Sequence, residues 1–191
     1  REFVNTSLYN YTLGFALLVV ALLLPLLTSI ADYKGNKKKF MAFFLSMGSI
    51  SCALLFFFKN LGFLWLGLLC MMIACICFWS SYVFSNSFLP EIAAPEDRDR
   101  ISARGFSFGY IGSVILQVIC FVFVLNSEWF TDATFPARLS FLLVGIWWMG
   151  FGFFSISRLP NPQPAGINKS NKNILSNGYK ELGKVWSQLK Q

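Results

Sequence analysis

Histidine is absent from this 191-residue chain, and charged residues make up only 13% of it. Soluble globular domains carry about 25% charged residues, so this scarcity argues against a soluble fold. The five cysteines all lie inside apolar runs and have neither zinc-site nor redox-motif spacing. We therefore expect no metal and no other cofactor. The apolar runs also lack a catalytic aspartate pair and a serine–histidine combination, which argues against an enzyme.

Acidic residues are also few: the chain has 9 Asp and Glu against 16 Lys and Arg, a net charge of +7. Such an excess is also typical of nucleic-acid-binding proteins, but here the basic residues fall in short blocks between apolar runs and form no continuous stripe. We interpret the positive charge as a membrane-topology signal and expect no nucleic acid partner.

Long apolar runs dominate the remaining sequence, which is 55% hydrophobic. A run of about 20 apolar residues can cross a bilayer as a helix. Unbroken runs do not fit the alternating pattern of a membrane β-barrel, so the sequence predicts an all-α membrane protein. Five spans without Asp, Glu, Lys or Arg are predicted at 11–31, 40–58, 61–84, 105–125 and 139–156.

The basic blocks occupy alternate connections between these spans. Four lysines lie in the turn 32–39, three arginines lie in the loop 85–104, and six basic residues lie from Arg158 onward. The opposite side keeps only three, Arg1, Lys59 and Arg138. Because positive residues are retained on the cytoplasmic side, we predict an outside N-terminus and a cytoplasmic C-terminus.

The last segment differs from the spans. We predict a partial N-terminal transmembrane bundle over 1–158 and a central cytoplasmic loop over 159–191, with an amphipathic helix at about 174–190. That helix either lies at the membrane interface or binds a soluble partner, and both interpretations stay open. Its apolar positions recur at spacings of three and four: Leu175, Tyr179, Leu182, Trp186 and Leu189.

Two stretches carry a family resemblance. The turn Asp32-Tyr-Lys-Gly35-Asn-Lys37-Lys38 resembles the signature turn between helices two and three of major facilitator superfamily transporters. The stretch 88–112, with its Pro-Glu-Ile and Ser-Ala-Arg-Gly segments, is more distinctive. It is similar to the loop and fifth helix of the vacuolar-effluxer-like branch, also called the unknown major facilitator (UMF) family.

The resemblance implies that the five spans correspond to helices 2–6 of a twelve-helix major facilitator fold. Together with a start at Arg1 rather than Met, this leads us to expect a fragment of the N-terminal half. The expected partners are then the lipid bilayer, a small-molecule solute, and helices 1 and 7–12 of the same protein.

The function implied by the resemblance is that of a secondary transporter, which moves a small solute by alternating access. Eukaryotic relatives export amino acids from the vacuole, so amino acids are the implied solute class. A non-transporting multi-span membrane scaffold or accessory protein is the alternative. The short loops and the lysine-rich composition favour a bacterial inner (plasma) membrane.

Within the resemblance, the signature turn acts as a conformational gate at the cytoplasmic face. Arg104 or Arg100 is the hypothesised partner of Asp32, since the two arginines are four residues apart and share one helix face. A solvated turn without a gating role is the alternative. The gate candidates are Asp32, Gly35, Lys37, Lys38, Arg100 and Arg104.

Small and polar residues inside the spans supply further candidates. Gly105, Gly109 and Gly112 have the small-residue spacing that permits close helix packing. Ser49 and Ser51 are interpreted as packing residues of the second span.

Gln117 is a strongly polar residue near the middle of the fourth span. A polar group at that depth faces either a cavity or a partner helix, so substrate contact and an interhelical hydrogen bond both stay open. Tyr110 and Asn86 complete the substrate-cavity candidates. No span contains Asp, Glu or His, so we expect no proton-carrying group in this half.

Overall fold

The computed structural model describes residues 2–34, 36–59, 61–161 and 187, and within these ranges the chain is helical without strands. Each of the five long helices contains a stretch long and apolar enough to cross a membrane, which confirms a five-span, all-α membrane protein. The amphipathic helix predicted at about 174–190 lies outside the described residues, apart from residue 187. The helices are α1 (Glu2–Lys34), α2 (Lys37–Leu54), α3 (Leu64–Asn86), the single turn α4 (Leu89–Ile92), α5 (Arg98–Leu125) and α6 (Phe135–Arg158).

Prolines mark several helix boundaries. Pro95 opens the short 3₁₀ turn that leads into α5, and Pro136 lies in the first turn of α6, where the missing N–H has no helical partner to lose. Beyond α6 the backbone becomes extended at Leu159, and Pro160 follows. Pro25 differs because it lies inside α1 without ending it, as membrane helices tolerate.

The helices pack as an open row. α1 packs chiefly against α3, α3 against α2, α2 against α6, and α6 against α5. α1 and α5 are therefore the two edges of the row. The edge position of α5 explains why none of its residues is buried.

The row has two ends, which we name by their cations. The lysine end contains Lys37 and Lys38, the segment between α3 and α5, and the C-terminus of α6, which side-chain contacts bring together. The arginine end contains Arg138 at the start of α6, together with the 3₁₀ turn Leu55–Phe57 that follows α2. Each long helix runs from one end to the other.

A buried apolar core lies at the lysine end, between α2, α3 and α6. The Phe84 ring stacks against Phe40 and Phe44, with centroid distances of 5.8 and 6.0 Å. This core supports the loop segment that follows α3, because one of its members lies in that segment. The buried members are Met41, Leu45, Phe84, Phe88 and Ile156.

The interface between α2 and α6 is built on glycine. A Cβ added at Gly145 would lie 2.8 Å from the Ser49 carbonyl oxygen and 2.9 Å from the Ala53 Cβ. The first is a backbone atom and the second is bonded directly to the backbone, so neither can yield easily. The α2 and α6 backbones therefore approach closely at this point, as small residues allow in membrane helices.

Two more glycines extend this interface toward the lysine end. A Cβ at Gly48 of α2 would overlap the Trp148 ring of α6, and a Cβ at Gly152 of α6 would overlap the Leu45 side chain of α2. Each helix thus presents one glycine and one large side chain, and each large side chain packs against the glycine of the other helix. We call the contact pairs 45–152, 48–148 and 49–145 the glycine seam.

Two serines of the second span, Ser49 and Ser51, are buried, and Ser49 lies in the seam. This burial fits their interpretation as packing residues. The α5 glycines differ. A Cβ at Gly105, Gly109 or Gly112 would meet no other described atom within 4 Å. Among the described glycines, the contacts under 3.0 Å belong to α2 and α6, while a Cβ at Gly67 of α3 would meet the Phe58 ring at 3.0 Å. Packing by the α5 glycines remains a prediction.

We expect Gly145→Ala to destabilise the fold by about 1–3 kcal/mol, since the new methyl group must push two backbones apart. Gly150→Ala, in the same helix, is the matched control, because a Cβ at Gly150 would meet no other described atom within 4 Å. Thermal unfolding of the full-length protein in detergent measures both. Equal melting temperatures for the two variants would contradict the glycine seam.

Candidate functional site

An ion pair joins two helix connections at the lysine end. The Lys37 ammonium, at the first position of α2, lies 3.1 Å from a carboxylate oxygen of Glu91 in α4. The two side chains are 19% and 30% exposed, so water reaches the pair. The contact therefore holds the start of α2 to the segment between α3 and α5 without burying either charge.

Glu91 is placed by the residue that anchors its turn. Phe88 precedes α4 and is completely buried in the core of the lysine end. Its carbonyl accepts a hydrogen bond from the Glu91 backbone N–H at 2.9 Å. Burial of one aromatic ring thus fixes the position from which Glu91 reaches Lys37.

Lys38 makes a different connection from its neighbour. Its ammonium group donates to the Leu159 carbonyl oxygen at 2.8 Å and to the Asn161 side-chain oxygen at 3.4 Å. Leu159 comes directly after α6, where the helix dipole is negative and favours a cation. Lys38 therefore ties the start of α2 to the end of α6.

The other gate candidates lie nearby along the chain. Asp32 lies in the last turn of α1, with its side chain outside the described residues, and Gly35 is also outside them. Arg100 pairs with Asp97, three residues before it, at 2.8 Å. Arg104 is exposed on α5. Pairing of Asp32 with either arginine thus stays a hypothesis, whereas the cation contacts described at this turn belong to Lys37 and Lys38.

The three substrate-cavity candidates lie on two helices. Tyr110 and Gln117 are seven residues apart on α5, which is close to two helical turns, so both lie on one exposed face of this edge helix. Asn86 is the last residue of α3 and is also exposed. Their contact with a solute remains a prediction.

The arginine end contains a charged side chain, that of Arg138, which is almost completely buried. Only 6% of this residue is exposed, although it lies in the first turn of α6. Its guanidinium pairs with Asp132 and donates to the Phe56 carbonyl oxygen at 3.4 Å. The guanidinium carbon also lies 5.7 Å from the ring centroids of Phe56 and Phe135. The carboxylate and the two aromatic rings thereby stabilise the guanidinium charge in largely apolar surroundings.

From the sequence alone, Arg138 was only one of three basic residues on the side with less positive charge. A signal was present: the arginine opens an apolar run, and an aspartate precedes it by six residues. A charge at such a position needs a partner, and Asp132 is the nearest acid before it in the chain.

Asp132 is held as a carboxylate by its neighbours. One oxygen accepts hydrogen bonds from the Thr134 hydroxyl at 2.8 Å and the Thr134 backbone N–H at 2.9 Å, and the other faces Arg138. The Thr134 hydrogen bonds first, and then the Arg138 charge, lower the pKa of the Asp132 carboxyl against the opposing effect of desolvation. The Asp132 carboxyl is therefore ionised throughout the physiological range.

These features define a multi-pass, all-helical membrane protein whose helix ends are joined by cations. The chain belongs to the vacuole effluxer Atg22-like family, whose match covers residues 1–191. This is a family of transporters and not of enzymes. The resemblance to the vacuolar-effluxer-like branch of the major facilitator superfamily is confirmed.

Curated relatives come from bacteria and fungi. The MFS-type transporter YxiO of Bacillus subtilis is 33% identical over 98% of this chain and 44% of its own length. Autophagy-related protein 22-2 of Neosartorya fischeri is 28% identical over 97% of the chain and 41% of its own length, and the Aspergillus niger protein of that name is 29% identical with the same coverage. The chain thus spans less than half the length of these relatives. No solved structure gives a match.

We expect Asp132→Asn to lower the melting temperature by several degrees, because it leaves the buried Arg138 charge without its carboxylate. The folded-state pKa of Asp132 lies below its unfolded value, so its contribution is present above about pH 4 and is lost as the pH falls through the folded-state value. The difference in melting temperature between the full-length protein and the variant should begin to shrink as the pH falls below about 4. A constant difference down to lower pH would contradict this role.

Proposed function

We propose that this chain forms part of a secondary transporter that moves a small solute across a membrane by alternating access. The observation that carries the proposal is the Lys37–Glu91 ion pair, which crosses between α2 and the α3–α5 segment in a member of a transporter family. An alternating-access protein needs contacts at one face that hold one state and release in the other. This pair has the location and the strength for that task.

The strength argument rests on exposure. An ion pair at a water-accessible surface contributes about 0–1 kcal/mol, which is enough to bias a conformational equilibrium and small enough to break in each cycle. The signature turn that contains Lys37 also contains Asp32, in the last turn of α1, so the turn carries charges of both signs. We propose that the turn is the gate and that Lys37–Glu91 is one of its latches.

The open row supports the expectation that more helices belong to the protein. α1 and α5 each pack chiefly against one neighbour and leave the rest of their surfaces to lipid or to other spans. We propose helices 1 and 7–12 of a twelve-helix fold as these partners. Tyr110, Gln117 and Asn86, all exposed on the described helices, are the proposed cavity residues.

For the solute we propose amino acids, in line with the vacuole effluxer description of the family. For the location we propose a bacterial plasma membrane, supported by the 33% identity to a Bacillus subtilis protein. The lysine end would face the cytoplasm, because the basic blocks of the sequence gather there.

A liposome experiment tests the proposal. The full-length protein is reconstituted, and uptake of a panel of labelled amino acids is measured with and without Asp32→Asn. We expect flux for at least one amino acid and a strong reduction in the variant. If no amino acid moves, the solute class is wrong. If a broad solute panel also fails, the non-transporting scaffold is the better description.

Charge reversal tests the latch separately. We expect Lys37→Glu and Glu91→Lys each to change the transport rate several-fold, because each puts like charges at the contact, and the double reversal to restore it. Lys39→Glu is the control, since Lys39 is an exposed neighbour in the same turn. Single effects that simply add in the double variant would show that the two side chains act independently.

A further inference from the structure

Two cations make reciprocal contacts between α2 and α6. Lys38, the second residue of α2, donates to the Leu159 carbonyl oxygen just beyond α6. Arg138, the fourth residue of α6, donates to the Phe56 carbonyl oxygen in the turn that ends α2. Each helix thus supplies, near its own start, a cation that caps the end of the other.

The charges explain why this arrangement joins the helices. The last four carbonyl groups of a helix have no partner within it, and a cation there is favoured by the helix dipole. The same dipole disfavours a cation in the first turn of its own helix. Lys38 and Arg138 occupy such first-turn positions, and each gains a carbonyl acceptor at the end of the opposite helix. Arg138 is paired in addition with Asp132, just before its own helix.

The glycine seam fills the distance between the two caps. Trp148 fits over Gly48, and Leu45 fits over Gly152. A shift of either helix along the other would bring each large side chain against a residue with a Cβ and would also pull both cations away from their carbonyls. The register is therefore set at both ends and along the middle.

We propose that α2 and α6 form one rigid unit whose register is locked by Lys38 and Arg138 acting as positioning residues. Adjacent lysines then have different tasks: Lys38 holds α2 to α6, while Lys37 reaches out of the pair to Glu91. The rigid unit does not depend on the protein being a transporter.

Hydrogen–deuterium exchange of the full-length protein in lipid nanodiscs tests the proposal. We expect Arg138→Met to raise exchange several-fold in residues 53–58, at the end of the other helix. We expect Lys38→Met to do the same in residues 155–160. Lys39→Met is the control and should change neither segment, because Lys39 is an exposed neighbour of Lys38.

In this expected pattern each substitution raises exchange at the end of the other helix, and a general loss of stability would not produce it. Exchange that rises evenly along the chain, or only in the helix carrying the substitution, would overturn the reciprocal caps. Should Arg138→Met fail to fold, Arg138→Lys keeps the charge and is expected to protect residues 53–58 better than Arg138→Gln. Equal protection in those two variants would also overturn the proposal, and Lys38→Met tests the other end independently.

Discussion

The close approach of α2 and α6 is the constraint on which the other contacts of the described fold depend. Gly48 places α2 against both the Trp148 ring of α6 and Cys77 of α3, so α2 is the central helix of the row. A wider spacing would lengthen the contacts of Lys38 and Arg138 with their carbonyls, and the Arg138 contact at 3.4 Å already lies beyond the usual hydrogen-bond range. Helix packing therefore comes first, and the polar contacts at the two ends add specificity to it.

The two ends of the row use charge differently. At the lysine end, the ion pair of Lys37 with Glu91 lies partly in water, where charge pairs are weak and exchangeable. At the arginine end, Arg138 is enclosed by aromatic rings and a carboxylate, where breaking a pair is costly. Breaking the ion pair therefore costs less at the lysine end than at the arginine end.

Much of the fold was accessible from sequence, because span length, charge placement and the signature turn are local patterns. Five helices and the family follow from them. The packing glycines were not accessible: Gly145 and Gly152 matter because α2 brings Ser49 and Leu45 opposite them, and that pairing is set by tertiary structure. The partner of Lys37 was missed for the same reason. Glu91 reaches it only because Phe88 is buried nearby, which spacing along the chain does not reveal.

The separation of the capping contacts along the chain has a consequence for biosynthesis. Arg138 lies six residues from Asp132, but its Phe56 acceptor lies 82 residues away, and 121 residues separate Lys38 from Leu159. The Arg138 charge can therefore be matched locally as soon as α6 begins, whereas α2 is complete long before its partner is synthesised. Until then the glycine and serine face of α2 is uncovered. α2 can therefore reach its final register only after α6 has been inserted beside it.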